Sequence, residues 1–268
     1  MLRILGATAT GAVTGLAVHG YAIERHALRL LKTDLHIAEL PDAFVGLQVG
    51  FVTDLHHSAF VSAEEVSGAA ALVMRERPDL IILGGDYVTN KEPRFAGPCA
   101  EALRPLRAPL GVFGILGNHD DERHVPAELR RSGVELIRDT WTRLYLRGDR
   151  LALAGVDFWT RGPDQIASAL RGLSGPSLLA AHDPRRVVEA AALGVGGILS
   201  GHTHGGQVVI PGLGAVAARK FPVAAGHLRK GNTDLFVSRG VGTVVVPIRI
   251  NCPPEVAVVT LRRLEVRS

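Results

Sequence analysis

Leu80-Ile81-Ile82-Leu83-Gly84-Gly85-Asp86-Tyr87-Val88 decides the fold class. Four consecutive apolar residues, two of them β-branched, read as a strand buried on both faces, the signature of a sheet covered by helices. The run stops at two glycines and an aspartate, so a carboxylate is delivered just past the strand's carboxyl end. Working outward, Val45 to Val52 is a second apolar run ending in Thr53-Asp54-Leu55-His56, and Val112 to Leu116 a third ending in Gly117-Asn118-His119-Asp120. Between the first two, Ser62 with Glu65 three residues on forms a capping box for a helix over 63–77, closed by Pro78. Strand, loop, helix, strand is therefore the local rule, and it specifies an α/β fold.

The second half repeats it. Leu151 to Val156 and Ser177 to Ala181 read as strands, the latter leading to His182-Asp183-Pro184, with Asp183 as N-cap and Pro184 at the first position of a helix reaching about Leu193. Gly197 to Ser200 ends in Gly201-His202-Thr203-His204. Leu235 to Ser238 and Val256 to Leu261 complete the strands, and residues 211–231 read mostly as loop. Five polar clusters thus sit just beyond carboxyl ends of buried strands, where α/β sheets place their ligand sites.

Composition agrees. The 268 residues are 47% hydrophobic but only 5% aromatic, with 31 glycines and 15 prolines, so small-residue packing and tight turns carry the architecture of one large domain. Two cysteines are too few for a disulfide framework and form no C-x-x-C pair. A net charge of +4 suits anionic substrates or an anionic surface and falls short of a nucleic-acid-binding balance, so no nucleic-acid partner is expected. The amino terminus differs in kind: residues 4–23 carry no formal charge and, as a helix, would extend about 30 Å, the thickness of a bilayer core. Residues 1–32 are accordingly expected to be a membrane anchor, with a cleaved signal or a soluble or interfacial helix as alternatives, and the chain to be membrane-associated through them.

Asp54-x-His56 puts two metal-binding side chains on one side of an extended segment. Each such piece has a bland reading as a turn or hydrogen-bonded loop residue. The ordered set D-x-H, G-D, G-N-H-D, H and G-H-x-H, each at a strand end, does not. With Gly84-Gly85-Asp86-Tyr87-Val88, Gly117-Asn118-His119-Asp120 and Gly201-His202-Thr203-His204-Gly205-Gly206-Gln207, the sequence resembles the calcineurin-like metallophosphoesterase superfamily from about Ala38 to Leu261. The trailing Gly-Gly-Gln, Val237-Ser238-Arg239-Gly240 and Pro247-Ile248-Arg249 look most like its bacterial, membrane-associated YkuE/YaeI-like branch.

The resemblance implies a four-layer α/β/β/α sandwich of two mixed sheets over residues 38–268 and a dinuclear centre. Asp54, His56, Asp86 and His204 would hold one divalent ion and Asp86, Asn118, His182 and His202 the other, with Asp86 bridging. Nitrogen and oxygen donors without thiolate suit manganese first, then iron or zinc. Two such ions activate water for in-line attack on phosphorus. His119 would protonate the leaving oxygen, oriented by Asp120. Arg239 and Arg249, after strands, are candidates to bind substrate, while Arg219, Lys220, Arg229 and Lys230 read as a diphosphate or headgroup contact or as a solvated loop. His57, pointing opposite to His56, is expected not to ligate.

By analogy with the branch, the substrate is a phosphodiester or pyrophosphate, lipid-linked as in a UDP-2,3-diacylglucosamine pyrophosphatase. A phosphomonoesterase, a nuclease, a cyclic-nucleotide phosphodiesterase and a non-catalytic metal-binding scaffold are the competing readings.

Overall fold

The computed structural model describes residues 14–265. Helix α1 is described over residues 14–22, followed by β1 (Arg29–Ile37), β2 (Gln48–Val52), α2 (Ala63–Met74), β3 (Leu80–Leu83), α3 (Ala96–Leu103), β4 (Val112–Gly114), α4 (His124–Arg131), β5 (Glu135–Leu136) and β6 (Thr140–Leu146). The chain continues through β7 (Asp149–Val156), α5 (Pro163–Ala169), β8 (Ser177–Ala181), α6 (Val187–Ala192), β9 (Gly197–Ser200), β10 (Gly226–Lys230), β11 (Thr233–Val237) and β12 (Glu255–Arg263).

These strands form two six-stranded mixed sheets, in the orders β1-β12-β2-β3-β4-β5 and β10-β11-β9-β8-β7-β6. Side-chain alternation, with its period of two, decides how they stack. Val49, Phe51, Leu80, Ile82 and Phe113 of the first sheet face Leu151, Leu153, Leu178, Leu199 and Phe236 of the second in one apolar layer. The alternate residues Val52, Ile81, Leu83 and Val258 turn outward to Val66, Ala70 and Val73 of α2, Leu103 of α3 and Leu129 of α4. On the second sheet Val156, Leu179, Ala181 and Ile198 turn outward to Ile166 of α5 and Val187 and Ala190 of α6. Helix, sheet, sheet, helix is the expected four-layer sandwich.

Within the first sheet β2, β3 and β4 run parallel, and in the second β7, β8, β9 and β11 do, so their carboxyl ends deliver Asp54, Asp86, Asn118, His182 and His202 to one rim. The capping box of α2 is formed: the Ser62 hydroxyl accepts from the Glu65 amide (3.3 Å), and Glu65 Oε2 accepts from the Ser62 amide (2.8 Å).

The amino-terminal expectation is corrected. The span at residues 4–23 lies partly outside the described residues, and among the described residues no helix is long and apolar enough to cross a membrane. Residues 14–22 of α1 would extend about 14 Å, half of a bilayer core. Gly20 packs against Ile248 and Ile250, its carbonyl accepts from the Arg249 amide (3.2 Å), and Glu24 accepts from the Asn251 (3.0 Å) and Cys252 (2.6 Å) amides. The expected boundary between residues 32 and 38 is crossed by β1, which pairs in parallel with β12 from Arg29↔Glu255 to Ile37↔Arg263.

Candidate metal centre

Two clusters of potential ligands converge on the rim, Asp54 with His56 and His204, and Asp86 with His182 and His202. His56 Nε2 lies 3.0 Å from His204 Nε2, and His204 Nε2 lies 3.3 Å from Asp54 Oδ1. The clusters meet at one atom: Asp86 Oδ2 is 3.4 Å from His56 Nε2 and 3.2 Å from His182 Nε2. All of these side chains are buried except His202, which is partly exposed.

The surrounding backbone aims each donor. His182 Nδ1 donates to the Gly84 carbonyl (2.8 Å), which turns Nε2 toward Asp86. Thr89 Oγ1 sits 3.3 Å from His56 Nδ1 and donates to the His56 carbonyl (3.2 Å), leaving His56 Nε2 to the centre. One oxygen of Asp86 accepts the His119 amide (2.7 Å), so the other stays free. Asp54 accepts the His202 amide at 3.0 Å on both oxygens and the Thr53 hydroxyl at 2.9 Å. Such packing explains two motif glycines: a Cβ at Gly117 would collide with the Asp86 carboxylate and one at Gly201 with that of Asp54.

Strain is concentrated here. Asp54, His56, Asp86, His202 and His204 all have positive φ, from 50° to 72°, a region non-glycine residues rarely adopt. Five such residues at one rim mark a site whose geometry is imposed by its surroundings.

Charge follows the same geometry. Burial raises Asp54 above the usual carboxylate range, against the pull of His182. For Asp86 burial acts upward too, but His182 and His56 outweigh it and hold the carboxyl well below its ordinary value. Burial disfavours charge on His182, yet the Asp86 carboxylate pushes it up to about 10. His202 is lowered to about 3 by burial and by His182, and burial with His56 lowers His204.

The donor set fits divalent metal ions. Paired imidazole nitrogens and carboxylate oxygens point at common positions without thiolate, and Asn118 Oδ1 and His182 Nε2 are buried with no hydrogen-bond partner.

Other expected residues have different neighbours from those anticipated. His119 is half-buried beside His56, with ring centroids 4.9 Å apart, and its Nδ1 accepts from the Asn90 amide (3.2 Å). Asp120 does not orient it. Its carboxylate accepts backbone amides of Asp86 (2.7 Å), Tyr87 (2.7 Å), Val88 (3.3 Å) and Gly117 (2.8 Å), joining the β3 loop to the β4 loop. Burial and the neighbouring Asp86 push Asp120 up to about 7.

Arg249 is fully buried, and its guanidinium donates to the carbonyls of Arg239 (2.9 Å), Gly240 (3.1 Å), Gly242 (2.6 Å) and Cys252 (3.1 Å), leaving nothing for a substrate. Gly242 in turn donates to the Asp54 carbonyl (2.7 Å), so Arg249 braces the loop behind that residue. Arg239 pairs with Glu255 (3.7 Å). His57 is buried, with Nδ1 donating to the Val61 carbonyl (2.7 Å), and takes no part in either cluster.

Sequence reasoning missed Phe158 and Phe221, whose rings lie 5.1 and 5.2 Å from that of His202, and Thr89 behind His56. Position just past a strand end was a signal for Phe158. Phe221 had none.

Comparison with known proteins fits this geometry. A family model described as calcineurin-like phosphoesterase matches residues 47–206. The chain is 29% identical over 271 residues to the uncharacterized metallophosphoesterase YkuE of Bacillus subtilis, covering 97% of this chain and 95% of that protein. It is 31% identical over 255 residues to phosphodiesterase YaeI of Escherichia coli, covering 90% and 88%. Among solved structures, TT1561 of Thermus thermophilus superposes with a TM-score of 0.51 at 12% identity, over 73% of this chain and 90% of that one, a likeness of fold. With its ligand-bearing loops inside the matched span, this chain belongs to the calcineurin-like phosphoesterases and is a phosphoester hydrolase.

Proposed function

We propose that the protein is a dinuclear metal-dependent hydrolase of phosphodiester or pyrophosphate bonds. Asp54, His56, Asp86 and His204 hold one divalent ion, and Asp86, Asn118, His182 and His202 hold the second, manganese being the first candidate and iron or zinc the alternatives. The observation that carries this reading is the single oxygen Asp86 Oδ2, which lies within 3.4 Å of a histidine nitrogen from each cluster. Two divalent ions supply Lewis acidity and an activated water for in-line attack at phosphorus.

The chain's own groups do the rest. Asp54 and Asp86 offset part of the ionic charge, leaving the centre attractive to a phosphate anion. His119 serves the leaving oxygen: because the Asn90 amide donates to Nδ1, the ring's proton sits on Nε2, and that atom is the donor. Asp120 holds the two loops that carry Asp86 and Asn118 in register. The lipid-linked character expected from the sequence is kept as the finer substrate proposal, supported by exposed apolar residues near His119.

Metal-reconstituted protein should hydrolyse bis(4-nitrophenyl) phosphate and carry two ions per chain by elemental analysis. Absence of bound metal after reconstitution, or hydrolysis that survives exhaustive chelation, overturns the reading.

A further inference from the structure

Beside His119 a groove of about 340 Å³ runs between Phe60 and the segment Val244–Pro247. Its wall is apolar and open: Phe60 is 57% exposed, Val245 95% and Val246 47%. Exposed single apolar residues are ordinary, but these are built into place. Val245 has φ 66°, an outlier for a β-branched residue, and such strain persists only where neighbours over-determine it.

The neighbour is Gln207, third after His204 in the Gly-Gly-Gln stretch. Its side chain is buried, donates to the Val244 (3.0 Å) and Val246 (3.2 Å) carbonyls and accepts from the Val244 amide (2.6 Å). Phe60 is held as well, since Arg25 donates to its carbonyl (3.1 Å) and its amide donates to Ser58 Oγ (3.3 Å).

The two flanks of the centre differ in charge. Around His202 the cations cluster over rings: Arg161 over Phe158 at 4.2 Å, Arg185 and Lys220 over Phe221 at 5.3 and 5.2 Å. Among the described residues the groove's one carboxylate, Glu92, is paired with Arg94 at 2.8 Å, and no lysine or arginine lines it to receive a second phosphate.

We propose that this groove receives the departing alcohol of a phosphodiester, that this alcohol carries an aliphatic chain, and that Gln207 is the positioning residue that sets the groove's apolar wall. The inference rests on the phosphodiesterase reading above. Water's oxygen bonds to phosphorus, the P–O bond to the alcohol breaks, and the alcohol departs with a proton from His119 that water's proton restores. His119 itself lines the groove together with Phe60 and Val245, so the chain on the oxygen it protonates lies along them.

The experiment compares three methyl aryl phosphodiesters of matched leaving-group acidity, bearing a 4-acetyl, a 4-octanoyl or an isosteric 4-polyether-acyl group, all below their aggregation concentrations. A fully buried methylene contributes roughly fourfold. With the chain only partly covered, the octanoyl ester should exceed the acetyl ester at least about tenfold in kcat/KM, and the polyether ester should not. Val245→Asp, a change at an exposed position, and Phe60→Ser should each cut that ratio to below about threefold. Gln207→Ala should lower it through KM for the octanoyl ester alone, with metal content retained. A ratio near one in the native protein, or one unchanged in both wall variants, overturns the groove assignment and leaves the phosphodiesterase reading standing. Failure to hydrolyse any of the three esters with both ions bound overturns that reading and the groove with it.

Discussion

The layer between the two sheets and the rim above it obey opposite rules. Between the sheets, Phe51 and Phe236 meet edge to face with centroids 6.4 Å apart within a continuous apolar layer. Just past the strand ends of the same two sheets, Asp54, Asp86 and His182 are just as buried but polar, and at Asp54 and Asp86 the backbone enters the left-handed region. The core obeys local preference, whereas the rim violates it and is held by hydrogen bonds from elsewhere. Residues that break several rules at once at the ends of well-behaved strands mark the working part of a fold.

Substitutions should separate the two regions. The largest effect is expected for Asp86→Ala, which removes the oxygen common to both clusters: metal content and hydrolysis should fall together to background, read by elemental analysis and a diester assay. His119→Ala should retain both ions and lose roughly 10²- to 10⁴-fold in kcat, less for esters with activated leaving groups. Equal loss of metal in these two variants would erase the division between binding and proton donation.

In the core, Leu151→Ala should cost about 2–5 kcal/mol in denaturant unfolding while leaving kcat of the folded, metal-loaded protein within about twofold. Smaller again, Arg249→Lys keeps the charge but loses the planar fork that serves four carbonyls, and should cost about 1–3 kcal/mol of stability. A chelator should lower the Tm of native protein and of Leu151→Ala by the same interval and leave Asp86→Ala unmoved, because only a ligand of the folded state adds to its stability.

What was legible in the sequence follows the same division. Leu80 to Leu83 is apolar on both faces, so the strand and the emergence of Asp86 beyond it could be read directly, as could the Ser62–Glu65 cap. Strand β1 could not: Arg29-Leu30-Leu31-Lys32-Thr33-Asp34 is mostly polar because it lies at a sheet edge, and its partner β12 is more than 200 residues away. Asp120 and Arg249 were misread for a related reason. A charged side chain in a motif suggests chemistry, but both are consumed by backbone amides or carbonyls, which carry no sequence signature. The uncharged amino-terminal stretch suggested a bilayer because hydropathy alone does not register the packing of Gly20 against Ile248 and Ile250.

The position of β12, between β1 and β2, orders events during synthesis. A ribosome adding roughly 5–20 residues per second delivers β12 about 10–40 s after β2 has emerged. Until then one edge of β2 offers unpaired backbone to any passing strand, and β1 has no partner in its sheet. The second sheet's β6 to β9 is on hand well before. The nascent chain is therefore expected to pair β6 to β9 early, while the first sheet stays open until the last strand slides in between β1 and β2.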